Sequence, residues 1–142
     1  MGDVWAEGVT VGQRFHGCLV EDLTRAHIAQ YAGASGDFNS VHVDEPFAIE
    51  AGRSGVIAHG MLTMGLVGTF LYSVVGHGTL RSFGGRFLAP VMPGDTVRCV
   101  LTVKDVQDEK HCRTVSLHVE ATTAGGPVFR GEAVAVGQVS DR

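Results

Sequence analysis

Between Gly55 and Leu80 the chain reads GVIAHGMLTMGLVGTFLYSVVGHGTL and carries no Asp, Glu, Lys or Arg. This stretch limits the fold more than any other, because a helix that is apolar all round must be enclosed, by lipid or by protein. About 20 apolar residues suffice to span a bilayer. Against a span stand His59 and His77 at the edges, glycines at 60, 65 and 68, and the lack of any second such segment. The segment is expected to form a buried central helix inside a folded domain.

The material to enclose it lies downstream, where period-2 alternation predicts strands. TLRSFGGRFLAPV reads as one strand, ended by a turn at MPGD. TVRCVLTVKDV alternates, with Val97, Cys99, Leu101 and Val103 on one face; QDEK turns the chain, and HCRTVSLHVEATT alternates again through Val115, Leu117 and Val119. Gly125-Gly126 signals a hairpin into the closing strand PVFRGEAVAVGQV. Upstream, GQRFHGCLV is extended and DLTRAHIAQYAG is helical, with Asp22 or Thr24 as cap and Gly33 and Gly36 as terminators. A loop precedes a short helix in DEPFAIEAG, with Pro46 near its start and Gly52 past its end. A curved antiparallel sheet around one apolar helix satisfies this order. Such a sheet keeps an open edge and an uncovered flank, so pairing with a second copy is expected.

At 142 residues the chain fits one domain with a substantial core. A net charge of −4 and scattered arginines offer neither a nucleic-acid footprint nor a polybasic membrane patch. Three cysteines without a CxxC pair exclude a disulfide framework and a zinc knuckle, and read as reduced, mostly buried thiols. The opening MGDVWAEGVTVG lacks a basic stretch followed by an apolar run, so no secretory leader is expected and the cytoplasm is the expected compartment.

Chemistry concentrates in YAGASGDFNSVH, Tyr31 to His42. Gly36, Asp37, Asn39 and His42 could form only a turn: an Asx-turn at Asp37, a left-handed Asn39, a capping His42. Yet four such residues stand where one would turn the chain, and they lead into GVIAHG and the most apolar segment. A polar constellation beside an apolar pocket is the form a binding or catalytic site takes.

The stretch YAGASGDFNSVHVDEPFAIEAGRSGVIAHGMLTMG resembles the signature of the MaoC-like hydratases, which include the (R)-specific enoyl-CoA hydratases and 3-hydroxyacyl-ACP dehydratase subunits. The matching positions are Gly36, Asp37, Asn39, His42, Ala48, Ile57, Ala58, His59, Gly60 and Met61, and GGRFLAPVMPGDTV also resembles the family's strand after the central helix. Ser40 stands where the family usually has proline; Thr63 and Gly65 stand near a serine that some relatives carry. The resemblance implies an α+β hotdog domain over residues 1–142, an antiparallel sheet wrapped around a helix of about Gly60 to Val75 and dimerised through its sheets.

It further implies hydration of a trans-2-enoyl thioester, or the reverse dehydration. That reaction needs a base for water at the β-carbon, an acid for the α-carbon, and donors for an enolate-like oxygen. Asp37 and His42 are the implied catalytic pair, with the acid and base roles unassigned between them. Asn39 is expected to orient the loop or the water, and Ala58, His59 and Gly60 to line the substrate. Backbone N–H groups near Gly60 are the expected oxyanion donors. No cofactor or metal is expected: CoA or an acyl carrier protein brings the acyl group, and Arg53, Arg81 and Arg86 are candidates for phosphates. A homodimer is expected. The alternatives are a subunit of a heteromeric dehydratase and a non-catalytic acyl-thioester binder. Hotdog thioesterases place a carboxylate on the central helix, and this chain has none there.

Overall fold

A computed structural model describes residues 4, 5 and 8–138; the remaining residues, among them part of the N-terminal stretch read for a leader, lie outside the described ones. The elements run β1 (Arg14–Val20), α1 (Arg25–Ser35), α2 (Ser40–Val43), α3 (Glu45–Glu50), α4 (Gly60–Val75), β2 (Leu80–Phe87), β3 (Val97–Asp108), β4 (Cys112–Thr123) and β5 (Gly126–Gln138). The strands form one antiparallel sheet in the order β1-β3-β4-β5-β2.

Alternation places the inward set as expected. Val97, Cys99, Leu101 and Val103 of β3 and Val115, Leu117, Val119 and Ala121 of β4 are all buried. They form one apolar cluster with Val67, Leu71, Val74 and Val75 of α4. α4 touches both edge strands, β1 and β2, as well as β3 and β5. Laid flat, five strands would hold their edges about 19 Å apart, too far for a helix about 10 Å across to reach both. The sheet therefore curls around the helix. Gly17 of β1 permits the approach, since a Cβ there would lie within 3 Å of the Phe70 ring.

Several expectations need correction. Gly33 lies inside α1; only Gly36, at φ 75°, ends it, its N–H donating to the Ala32 carbonyl. The segment between α1 and α3 holds a further helical turn, α2, rather than a plain loop. The β4–β5 hairpin turns on Ala124 and Gly125, one residue earlier than the glycine pair suggests, because Thr123 already pairs with Gly126. α4 is not buried all round: Met61, Gly65, Thr69 and Tyr72 form an exposed stripe along one side. No helix among the described residues is long and apolar enough to cross a membrane. Of the three free cysteines only Cys99 is buried, and burial pushes its thiol up to about 12, which removes it as a nucleophile.

Candidate active site

The motif folds as a relay of short polar bonds. Gly36 closes α1, and the Asp37 N–H donates to Ser35 Oγ at 3.2 Å. Asp37 Oδ1 accepts from the Asn39 N–H at 3.2 Å, an Asx-turn. Asn39 is the N-cap of α2, its Oδ1 accepting from the Val41 N–H at 3.2 Å, with an ordinary negative φ rather than a left-handed one. Asp44 then caps α3 through Phe47 N–H. Each polar residue thus has a local structural duty. Asp37 has one carboxylate oxygen left over.

That oxygen, Oδ2, lies 4.0 Å from His42 Nε2. The Asp37 side chain is half-exposed, whereas that of His42 is mostly covered. His42 Nδ1 sits 2.8 Å from the Ile57 carbonyl oxygen. A carbonyl only accepts, so Nδ1 bears the proton, and in the neutral ring Nε2 presents its lone pair toward Asp37. The Ile57 N–H donates to the Val41 carbonyl at 3.1 Å, locking α2 to the approach to α4.

His59 completes the cluster. It is 2% exposed, its Nε2 lies 2.9 Å from the Asp37 carbonyl oxygen, and its ring stacks on His42 with centroids 3.8 Å apart and planes at 24°. By the same acceptor argument Nε2 donates, and Nδ1 is left buried without a partner. One ligand atom from each of Asp37, His42 and His59 lies within 4.8 Å of the others, a spacing that raises the question of a metal ion. The stacking argues against a fit. An imidazole binds metal along a lone pair in its own plane, and two ring planes only 24° apart intersect far beyond the nitrogens. No single ion within bonding distance of both rings lies in both planes.

α4 begins beside this cluster with His59 as its N-cap and no side-chain bond to the first-turn amides. The Leu62 N–H turns back to the His59 carbonyl at 3.1 Å, whereas helix geometry gives the N–H groups of Gly60 and Met61 no partner within the helix. Next to them opens a cavity of ≈ 310 Å³, lined by Ile57, Ala58, Gly60, Thr63 and Phe87, with Arg53 also on its wall. A Cβ on Gly60 would come within 3.2 Å of the Phe87 ring. Ala58 is itself buried, while Gly60 is open. Of the candidate arginines, Arg53 lines this cavity, and Arg86 lines a separate one against His118 and Arg130. Phe87 escaped the sequence reading because nothing near it in the chain signals that β2 passes the start of α4.

Known proteins show what the chain as a whole is similar to. A family model described as the MaoC like domain matches residues 8–125. The (R)-specific enoyl-CoA hydratase of Rhodospirillum rubrum is 35% identical over 117 residues, covering 81% of this chain and 80% of that protein. The enzyme of the same name from Aeromonas caviae is 31% identical over 133 residues, covering 91% and 96%. The solved structure of an A. caviae (R)-hydratase involved in PHA biosynthesis superposes with a TM-score of 0.79 at 29% identity, covering 92% of this chain and 98% of that one.

Proposed function

The chain belongs to the MaoC-like domain family, and from that premise we propose that it adds water to trans-2-enoyl thioesters to give (R)-3-hydroxyacyl thioesters, or runs the reverse dehydration. One observation carries the reading: a carboxylate oxygen and an imidazole nitrogen 4.0 Å apart, beside a helix start with uncapped amides. That separation is too long for a direct hydrogen bond and suits two acceptors sharing one water.

In the hydration direction, His42 Nε2 and Asp37 Oδ2 each accept from that water. Deprotonation by the pair sends the hydroxyl to the β-carbon, and electron density moves onto the thioester oxygen. The N–H groups that open α4, led by that of Gly60, meet that oxygen with the favourable end of the helix dipole. The proton taken from water is then delivered to the α-carbon, so OH and H arrive from the same side. The tautomer held by Ile57 supports this cycle, because Nε2 can take a proton and return it without the ring turning. Asn39 acts by capping α2, which carries His42. No step requires a metal or a resident cofactor; CoA or an acyl carrier protein brings the acyl group, and Arg53 is the candidate for its phosphates.

The exposed stripe of α4 and the largely exposed edge strand β2 support a homodimer, in which a second copy covers both.

The test is loss of conjugated enoyl-thioester absorbance on mixing the protein with crotonyl-CoA and longer enoyl-CoAs, beside Asp37→Asn and His42→Ala. We expect turnover in the parent protein and a loss of at least about 10³-fold in each variant. A folded parent protein inactive on every enoyl-CoA overturns the stand-alone hydratase and points to a missing partner chain or a carrier-protein substrate.

A further inference from the structure

We propose that His59 is a positioning residue that sets the two members of the proposed pair against each other, an inference that rests on the hydratase reading. Asp37 stands in a turn between α1 and α2, and its other hydrogen bonds among the described residues are local, to Ser35 and Asn39. The bond from His59 Nε2–H to its carbonyl reaches across 22 positions to the first turn of α4. The same ring lies flat against His42 at 3.8 Å. One buried side chain therefore grips the backbone of the carboxylate residue and backs the face of the imidazole. Tyr31 of α1 meets the His59 ring as well, centroids 4.8 Å apart and planes at 58°, which fixes the ring from a third element.

The unpartnered Nδ1 of His59 strengthens the inference. A buried acceptor left without a donor costs stability. A phenylalanine would fill similar space and avoid that cost, but it would give the Asp37 carbonyl no donor. The chain keeps an imidazole at a position where its second nitrogen is a liability. That fits a ring retained for donation and stacking together. Because His59 also starts α4, the rigidity of a sixteen-residue helix is passed to an otherwise exposed turn.

Three variants separate the two contacts. His59→Gln keeps a donor near the Nε2 position and loses the ring face. His59→Phe keeps the face and loses the donor, and His59→Ala loses both. Steady-state hydration of crotonyl-CoA is expected to show kcat about 100-fold lower in His59→Ala with KM nearly unchanged, since His59, expected from the sequence to line the substrate, is instead buried against the pair and absent from the cavity wall. His59→Gln should recover at least about tenfold of that loss, and His59→Phe less. His59→Ala retaining the parent kcat overturns the proposal, as does His59→Gln, folded, performing no better than His59→Ala. If His59→Ala does not fold, the Gln and Phe variants carry the comparison. A second readout does not depend on turnover. The ring protons of His42 should be shifted upfield by the stacked ring, and the shift should vanish in His59→Gln; an unchanged His42 spectrum overturns the proposal even if the parent protein hydrates nothing. Absence of parent turnover on every enoyl-CoA, with that shift lost in the variant, would instead sink the stand-alone hydratase and leave His59's grip on His42 standing.

Discussion

Asp37 shows how one side chain can hold a turn and still offer an oxygen to the proposed catalytic pair. Its Oδ1 makes the Asx-turn that a turn-forming Asp would make anyway, and its Oδ2 remains directed at His42. The two readings of the motif were never exclusive, because a carboxylate has two oxygens. Gly60 carries the sharpest single-residue prediction. A Cβ there would press on the Phe87 ring, but Phe87 is half-exposed and free to give way. Gly60→Ala should therefore fold with a nearly unchanged melting temperature. It should nevertheless lose about 10²-fold in kcat, the scale of one lost oxyanion donor, because the added methyl obstructs the thioester's approach to the Gly60 N–H. Melting and turnover measured on the same preparation check this; a variant with full activity would remove Gly60 from the oxyanion site.

Among the elements, α2 and the β2–β5 pair are decided by contacts rather than by local preference. A four-residue helix is too short to persist by itself. It survives because Asn39 caps it and the Ile57 strap closes it from outside. In the sheet, Gly85 faces Gly131 across the β2–β5 ladder, and the strands approach so closely that a Cβ on Gly131 would overlap the Gly84 carbonyl oxygen. Backbone cannot give way as a side-chain tip can. Gly131→Ala should destabilise by about 3 kcal/mol, the upper range for overpacking, read as a lowered urea midpoint. The periodicity of β3 and β4 was legible in the chain because alternation is local. The one-residue displacement of the β4–β5 turn was not, since register follows from which residues the neighbouring strands bury.

For the molecule as a whole, the charge-free segment poses a problem that one copy of the chain only partly solves. The curled sheet covers Val67, Leu71 and Val75 completely, yet Met61 is 54% and Tyr72 41% exposed on the opposite side of α4. The proposed homodimer would cover that stripe, and β2 would gain a partner at its open edge. Sedimentation equilibrium of the parent protein should give twice the mass of one chain. Met61→Lys, which would place an unpaired charge at the stripe, should shift the population toward single chains while leaving the sheet's circular dichroism intact. A parent protein that sediments as one chain at every concentration would refute the dimer.

Local pattern determined a great deal here. The charge-free run marked a buried helix between Gly55 and Leu80, and alternation marked the inward faces of β3 and β4, while the helix bounds came with the family resemblance. The Asp37 and His42 motif stood out because its residue types exceed what a turn requires. These properties reside in neighbouring residues, so the chain alone displays them. Tertiary structure decided the rest. The tautomer of His42 depends on a carbonyl fifteen residues away, the placement of Asp37 on an imidazole twenty-two residues away, and the cavity wall on Phe87 from a strand beyond the helix. Each is a contact between distant positions, created only when the sheet curls around α4 and brings the start of that helix under the motif.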